Sequence, residues 1–355
     1  MSTKILFVVP YPHDTAPSQR LKFEQYYTAL EKAGYEITIA PFIDLNFWKI
    51  IYKSGFYRQK VMYTLLNYAR RLSLLSRLSR YDLVYVHLWA TPFGPPLYER
   101  LLRKFSKRLI YDIDDLIYQG GSSPNNRSIR FLKTSAKVDF LMKHADRVLV
   151  STEKLMDYTR QFTTRVSLIP ATVDVKKYGI TSAGASAPVV IGWSGSHTTS
   201  KYLHLLDEVL RTLSERHDIR ILVMGDPDFA IEGLPIEILT WSAAMETENL
   251  LQFDIGLHPV PDEEWVYGKS GGKLVQYMAA GIPIVASAVG PNFKVVQDGY
   301  NGFLVNSAKE WIDRLDTLIT NKKLRNEMGQ HSKRCAIEIY SVEANLSKYL
   351  QALKE

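Results

Sequence analysis

Short apolar, β-branched runs alternate with longer stretches of helical periodicity along the chain. Lys4–Pro10, Glu36–Phe42, Leu83–Leu88, Arg108–Ile113, Arg147–Ser151 and Val166–Pro170 show no period-2 alternation. That is how strands read when both faces of a parallel sheet are covered. Helical stretches such as Ser18–Lys32 and Ile129–His144 fall between them. Tyr178–Pro188, YGITSAGASAP, breaks the pattern with small residues and reads as a linker. The alternation then resumes, with strands expected at Val189–Trp193, Ile219–Met224, Ile236–Leu239, Ile255–Val260, Ile284–Ala288 and Gly302–Val305. Helices close the chain near Ala308–Thr320, Lys322–Gln330 and Val342–Leu353. The pattern predicts an α/β protein of two doubly wound, Rossmann-like units: residues 1–178, a linker over 179–188, residues 189–335, and a closing helical segment over 336–355. Such units bind ligands at the carboxyl ends of their strands, which places the expected site in a cleft between the two.

At 355 residues the chain has room for two cores. Its 46% hydrophobic and 23% charged content is globular. No apolar run reaches the ~18 residues a membrane span requires, and the run Ile5–Pro10 is too short for a signal peptide. A single cysteine, Cys335, excludes an intramolecular disulfide and a thiolate metal site, and fits a reducing cytoplasm. The net charge of +7 divides unevenly. Residues 1–178 hold 28 Lys and Arg against 15 Asp and Glu, and the remainder hold 16 against 22. Halves of opposite sign suggest different partners. The most basic stretch, Leu45–Tyr81, holds eight Lys or Arg and no acidic residue, interleaved with aromatics. On a helix Leu65, Ala69, Leu72 and Leu75 share a stripe from which Arg70 and Arg77 point away. Such a stretch suits an anionic membrane surface. A core-packed helix pair with a solvated basic face would look the same. No recognised nucleic-acid module surrounds it, so no nucleic-acid partner is expected.

Candidate chemistry gathers at strand ends. Tyr267–Asn292, YGKSGGKLVQYMAAGIPIVASAVGPN, combines a glycine loop, a helix opening near Lys273, a turn at Gly281–Pro283 and a buried strand. Gly271 and Gly272 permit close backbone approach. The helix start offers N–H groups and a positive dipole end, and Lys269 and Lys273 add ammonium groups, so a diphosphate is the natural guest. The pattern is not a P-loop, because Lys273 and Leu274 stand where Gly and Lys are needed. Ile191–Lys201, IGWSGSHTTSK, is a strand running into a loop whose Gly195, Ser196, Thr198 and Thr199 can cap a helix or bond phosphate. Tyr11–Arg20 follows the first strand and offers Arg20. Ile110–Ile117, IYDIDDLI, places Asp112, Asp114 and Asp115 at a strand end. Three carboxylates there can bind a metal, act as a base, bond sugar hydroxyls or cap a helix. Metal ranks last, for want of a complementary His/Asp cluster. His87 also ends a strand and ranks below the aspartates.

The 267–292 segment resembles the donor-binding motif of the retaining, two-domain nucleotide-sugar glycosyltransferases of family GT4. Their usual form is E-x7-E followed by A-M-A-x-G-x-P-V-V-A-S. Gln276–Ser287 is similar to its second half, while Gly268 and Gln276 stand in place of the two glutamates. Gly268, Lys269, Lys273 and Gln276 fit a branch with the form GK-x-x-x-K-x-x-Q-Y-M-A. The resemblance implies a GT-B fold, with an N-terminal acceptor-binding and a C-terminal nucleotide-sugar-binding domain and a closing helix that crosses back to the first. It implies transfer of a sugar, with retention, from a nucleotide-diphosphate sugar to a hydroxyl of a glycan or lipid-linked glycan, and no cofactor or metal. The implied donor contacts are Gly195, Ser196, Lys201, Lys269, Ser270, Gly271, Gly272, Lys273 and Gln276. Lys273, Asp114 and Asp115 are the candidate catalytic residues, with Arg20, His87 and Asp112 on the acceptor side. The family's usual histidine after the strand ending at Ile113 is replaced by aspartate, so only the location carries over. Surface-polysaccharide assembly at the inner face of the membrane is the expected setting. A non-catalytic membrane or glycan-binding subunit, or another GT-B enzyme such as a nucleotide-sugar epimerase, is the alternative.

Overall fold

The computed structural model describes residues 2–117, 135–179 and 188–355. The chain divides into two compact units. The first is Met1–Pro170 with Gly268–Ser270 and Leu346–Glu355, and the second is Ala171–Tyr267 with Gly271–Asn345. The central part of the expected linker, 180–187, and the stretch 129–134 of the expected helix Ile129–His144 lie outside the described residues.

The first unit is built on a six-stranded sheet: β1 (Thr3–Val9), β2 (Tyr35–Pro41), β3 (Leu83–His87), β4 (Leu109–Ile113), β5 (Arg147–Val150) and β6 (Val166–Leu168). All pairs are parallel, in the order β2-β1-β3-β4-β5-β6. β3 and β4 are buried over their whole length, as their uninterrupted apolar character requires. The order reverses at β1 and β3, the switch point where doubly wound sheets take ligands. The helix expected over Ser18–Lys32 is in fact three pieces, Pro17–Lys22, a 3₁₀ turn at Glu24–Tyr26, and Tyr27–Lys32. The break falls at Phe23, whose φ of −137° leaves the helix. Its ring then stacks on Phe7 of β1 at 5.4 Å and meets His87 edge-on at 4.9 Å, so tertiary packing overrides local periodicity.

Two helices carry the basic stretch. Leu45–Ile51 is capped by Asp44, whose Oδ1 accepts the Phe47 N–H at 2.9 Å. Tyr57–Leu75 follows. Most of its apolar stripe does not face the core: Leu65 is 65% and Leu72 56% exposed, and only Leu75, at its end, packs against the core. The buried positions are Asn67 and Arg71. Arg71, one of the eight basic residues of this stretch, is 3% exposed. Its guanidinium donates to the carbonyls of Val9 at the end of β1 (2.8 Å), Ala40 in β2 (2.7 Å) and Ala90 beyond β3 (3.0 Å). Five fixed donors in a planar fork match several carbonyls at once. Burial lowers its pKa to about 10, so the group stays cationic at neutral pH.

The second unit repeats the plan with β7 (Val189–Ser194), β8 (Ile219–Met224), β9 (Ile236–Leu239), β10 (Ile255–His258), β11 (Ile284–Ser287) and β12 (Gly302–Val305). Its order, β12-β11-β10-β7-β8-β9, is again wholly parallel, with the switch between β7 and β10. The closing helices are Ala308–Thr320, capped by Ser307, Lys322–Cys335, capped by Asn321, and Val342–Lys354. The last ends among first-unit residues, where Tyr349 stacks on Tyr26 at 4.3 Å.

Arg71→Met is expected to destabilise the first unit by about 3 kcal/mol, the scale of removing a buried charge from hydrogen-bonded partners. Arg71→Lys should recover only part, because an ammonium lacks the fork. Urea denaturation followed by far-UV circular dichroism checks this, and an unchanged first transition in Arg71→Met would show that the three carbonyls do not depend on it.

Candidate functional site

In the second unit the switch point is lined by the ends of β7 and β10 and by the helix Gly272–Ala279. That helix opens from Gly271, which sits at φ +71° and exposes the first-turn N–H groups without a side-chain cap. Lys273, in the first turn, lies with its Nζ 4.7 Å over the Trp193 ring and donates to Thr199 Oγ1 at 3.2 Å. Trp193 belongs to β7, and the chain leaves that strand through Gly195. A Cβ on Gly195 would fall 2.2 Å from the Trp193 ring and 2.6 Å from Lys273 Nζ. Glycine is therefore the residue that lets indole and ammonium meet. Gly225, after β8, is its counterpart: φ is +102°, and a Cβ there would lie 1.9 Å from the Gly195 carbonyl oxygen. The loop is further fixed by the Gly195 N–H to Met224 O (2.9 Å), the Ser196 N–H to Thr199 Oγ1 (3.2 Å) and Ser200 Oγ to Asp226.

His258 ends β10 beside this ammonium. Burial and the Lys273 charge push its pKa down to about 3, so the imidazole is neutral at physiological pH and the local positive charge rests on lysine. Ser196 is exposed and pairs with Thr198 at 2.8 Å. Lys201 points its ammonium over Tyr202, 4.9 Å from the ring centre, rather than at Lys273. Gln276 is buried on the motif helix. Lys269 and Ser270 are counted with the first unit, where Lys269 Nζ lies 2.6 Å from Asp115 Oδ2.

In the first unit the parallel register sets His87 opposite Asp112. His87 Nδ1 lies 2.8 Å from Asp112 Oδ2, and Nε2 lies 3.8 Å from Asp114 Oδ1. Lys22, 2% exposed, places Nζ 3.4 Å from Asp112 Oδ1 and donates to Ile169 O at 2.5 Å. Burial works to raise the Asp112 carboxyl, but the Lys22 ammonium and His87 outweigh it, and its pKa falls below the usual range. Burial raises Asp114, reinforced by Asp115 and Asp112 and opposed by His87 and Lys22. Arg20 stands apart, paired through Nε with Asp14 Oδ1 at 2.9 Å.

A family model described as Glycosyl transferases group 1 matches residues 188–321. One described as Glycosyl transferase 4-like domain matches residues 49–172. The chain belongs with the GT4-type glycosyltransferases. Among curated proteins it is 24% identical over 206 residues to a D-inositol 3-phosphate glycosyltransferase of Mycobacterium sp. (strain KMS), covering 51% of this chain and 46% of that one. It is 33% identical over 60 residues to spore coat protein SA of Bacillus subtilis (strain 168), 16% of each chain. The matched stretch spans less than half the length of these curated relatives. Among solved structures, sucrose-phosphate synthase from Thermosynechococcus elongatus aligns with TM-score 0.73 at 17% identity, over 99% of this chain and 98% of that one. Anabaena Alr3699/HepE in complex with UDP-glucose aligns with TM-score 0.67 at 15% identity, over 99% of both. At this identity the likeness shows the fold: two Rossmann-like domains of the GT-B class.

Sequence reasoning singled out Gly195 and Lys273 and missed Trp193, His258, Gly225 and Lys22. A glycine directly after a strand, as in ILVMGDPD, was the readable signal for Gly225. Gly225→Ala is expected to lower stability by about 2 kcal/mol or more, because φ and the Gly195 carbonyl both oppose a Cβ. Thermal and urea denaturation measure it, and wild-type stability would mean that the Gly195 loop shifts freely.

Proposed function

We propose that this chain is a retaining glycosyltransferase that moves a sugar from a nucleotide-diphosphate donor to a hydroxyl of a glycan or lipid-linked glycan, in the cytoplasm, during surface-polysaccharide assembly. The observation that carries the reading is Lys273, held by Trp193 and Thr199 in the first turn of an uncapped helix at the switch point of the second sheet. A departing diphosphate gains negative charge as the sugar leaves. A fixed ammonium and oriented N–H groups stabilise that charge without reorganising at the moment of reaction. His258, kept neutral, offers a hydrogen bond there without a second charge. The resemblance to a family whose members work without a divalent ion supports metal-independent transfer by this chain. The UDP-glucose complex of Alr3699/HepE supports a nucleotide-sugar donor. Asp114 and Asp115 are assigned to the acceptor side, with His87 and Asp112 behind them.

The reading includes reversible docking on an anionic membrane through the Leu45–Ile51 and Tyr57–Leu75 helices. An unburied apolar stripe supports it, for Tyr57, Val61, Leu65 and Leu72 are exposed beside exposed Lys49, Lys53, Arg58, Arg77 and Arg80. No described helix is long and apolar enough to cross a membrane. A lipid-linked acceptor is the kind of substrate that such docking serves.

Lys273→Ala should reduce turnover about 100-fold, the usual scale for one charge-stabilising donor, in a protein that keeps its fold. In the same radiolabelled-sugar assay, EDTA should leave wild-type turnover unchanged. Near-wild-type turnover in the variant would sink the diphosphate assignment, and restoration by Mg²⁺ or Mn²⁺ after chelation would sink metal independence.

Sedimentation with vesicles tests docking. Binding is expected to anionic but not zwitterionic vesicles and should weaken with salt. At about 1 kcal/mol per basic side chain, Arg58→Gln, Arg77→Gln and Arg80→Gln together should weaken it about 100-fold, and Leu65→Ser with Leu72→Ser should weaken it independently. Equal binding to both vesicle types would refute the role. Arg71 is left intact, since its part is structural.

A further inference from the structure

We infer that Lys22, Asp112, His87 and Asp114 form a buried proton-holding chain in which His87 Nε2 and Asp114 Oδ1 share one proton. Its geometry is set by the fold. The β3–β4 register fixes His87 beside Asp112, and the Nδ1–Oδ2 distance of 2.8 Å is a hydrogen bond. An ionised carboxylate only accepts, so Nδ1 carries the hydrogen. In the neutral ring Nε2 is then a bare acceptor. Facing it at 3.8 Å is Asp114 Oδ1. Both atoms are buried, and neither has a hydrogen-bond partner among the described residues. Two unpartnered acceptors facing each other away from water are costly. One proton between them removes the conflict after a closure of under 1 Å.

Charge counting reaches the same state. The Lys22 ammonium balances the Asp112 carboxylate. With one shared proton the His87–Asp114 pair is neutral overall, whichever atom holds it. With none the cluster is left with an unbalanced negative charge, and with two it is left with a positive one. Either is penalised by burial. The upward push on Asp114 by burial agrees with a carboxyl that retains a proton. The other groups facing the cluster are Tyr85 on β3 and Tyr349 on the closing helix, both beside Asp112, Tyr111 on β4, which interacts with Asp112 and Asp114, and Tyr11 and Asp115 beside Asp114. Burial keeps the four tyrosine hydroxyls un-ionised. Asp115 is the one that adds charge, and Lys269 pairs with it.

The chain deepens the proposed acceptor side and rests on that reading for its effect on rate, though not for its existence. The Asp114 side chain keeps 10% exposure while Oδ1 keeps none, so its open part lies away from His87. A hydroxyl bound there gives its proton to the outer carboxyl oxygen as the inner proton passes to Nε2. Asp112 stabilises the imidazolium, and the electron pair stays on the hydroxyl oxygen, which becomes the nucleophile. Asp112 and Lys22 are positioning residues in this step.

NMR on the full chain, ¹⁵N-labelled at histidine and ¹³C-labelled at aspartate, tests the chain directly, with His87→Gln and Asp114→Asn assigning the signals. As pH is varied, the His87 nitrogens and the Asp114 carboxyl carbon should change together, with one common midpoint that belongs to the pair. A protonated Nδ1 should be present, and Asp114→Asn should abolish or displace the His87 response. Independent midpoints, or identical His87 shifts in wild type and Asp114→Asn, overturn the proposal whether or not any activity is found. In a transfer assay, His87→Gln should lower kcat about 100-fold, change acceptor KM less, and flatten the pH profile. Transfer with an unaltered profile in His87→Gln would also overturn it. Absence of transfer with every nucleotide sugar would instead overturn the glycosyltransferase reading and leave the NMR result standing.

Discussion

Parallel strands end together, and the polar groups at their shared carboxyl edge must be satisfied while the edge stays open to a ligand. The first unit meets this constraint with a charge. Arg71 reaches from the Tyr57–Leu75 helix to carbonyls at Val9, Ala40 and Ala90, fastening the ends of β1, β2 and β3 around their switch point. The helix that carries the exposed apolar stripe is thus tied to the strands that carry His87 and the first-strand loop. The second unit meets the same constraint by omission. Gly195 and Gly225 lack the side chains that would collide, so the backbone itself closes the edge and leaves Trp193 to seat the Lys273 ammonium.

The two edges differ in electrostatic character. In the second unit the pair nearest the switch is one ammonium and one neutral imidazole, a local excess of positive charge suited to phosphate. In the first, Lys22, Asp112, His87 and Asp114 balance within themselves once the His87–Asp114 pair holds the one proton inferred for it. A balanced cluster attracts no ion strongly. It suits a neutral guest such as a sugar hydroxyl, which needs hydrogen-bond partners and a place for a proton.

Much of the fold was legible because fully covered parallel strands have an unmistakable apolar signature, and all twelve expected runs overlap observed strands. Helical detail was less so. Ser18–Lys32 has the periodicity of one helix, yet burial of Phe23 against Phe7 splits it. The Leu65–Leu72 stripe was readable as a stripe, but local pattern cannot say whether a stripe faces core or solvent. Arg71 makes the same point from the other side: nothing in RRLSLLSRLSR separates the one arginine that caps three strand ends from its exposed neighbours.

The candidate site was legible where glycine and charge cluster in sequence and silent where they converge from afar. Gly271, Gly272 and Lys273 lie side by side, so their motif could be read. Gly225 matters only because the β7–β8 pairing brings it under the Gly195 carbonyl, and Lys22 matters only because Asp112 ends a strand 90 positions later. The IYDIDDLI segment shows both limits. Its three aspartates look equivalent in sequence, yet alternation along β4 and its exit sends Asp112 inward to Lys22 and His87 and Asp115 outward to Lys269. Asp114 is left between them, buried on Oδ1 and with a side chain only 10% exposed. Equivalent carboxyls thus acquire opposite pKa shifts from geometry alone, Asp112 down and Asp114 up. Such a divergence between neighbouring carboxyls is the condition under which one stays a charged anchor and the other becomes a proton carrier.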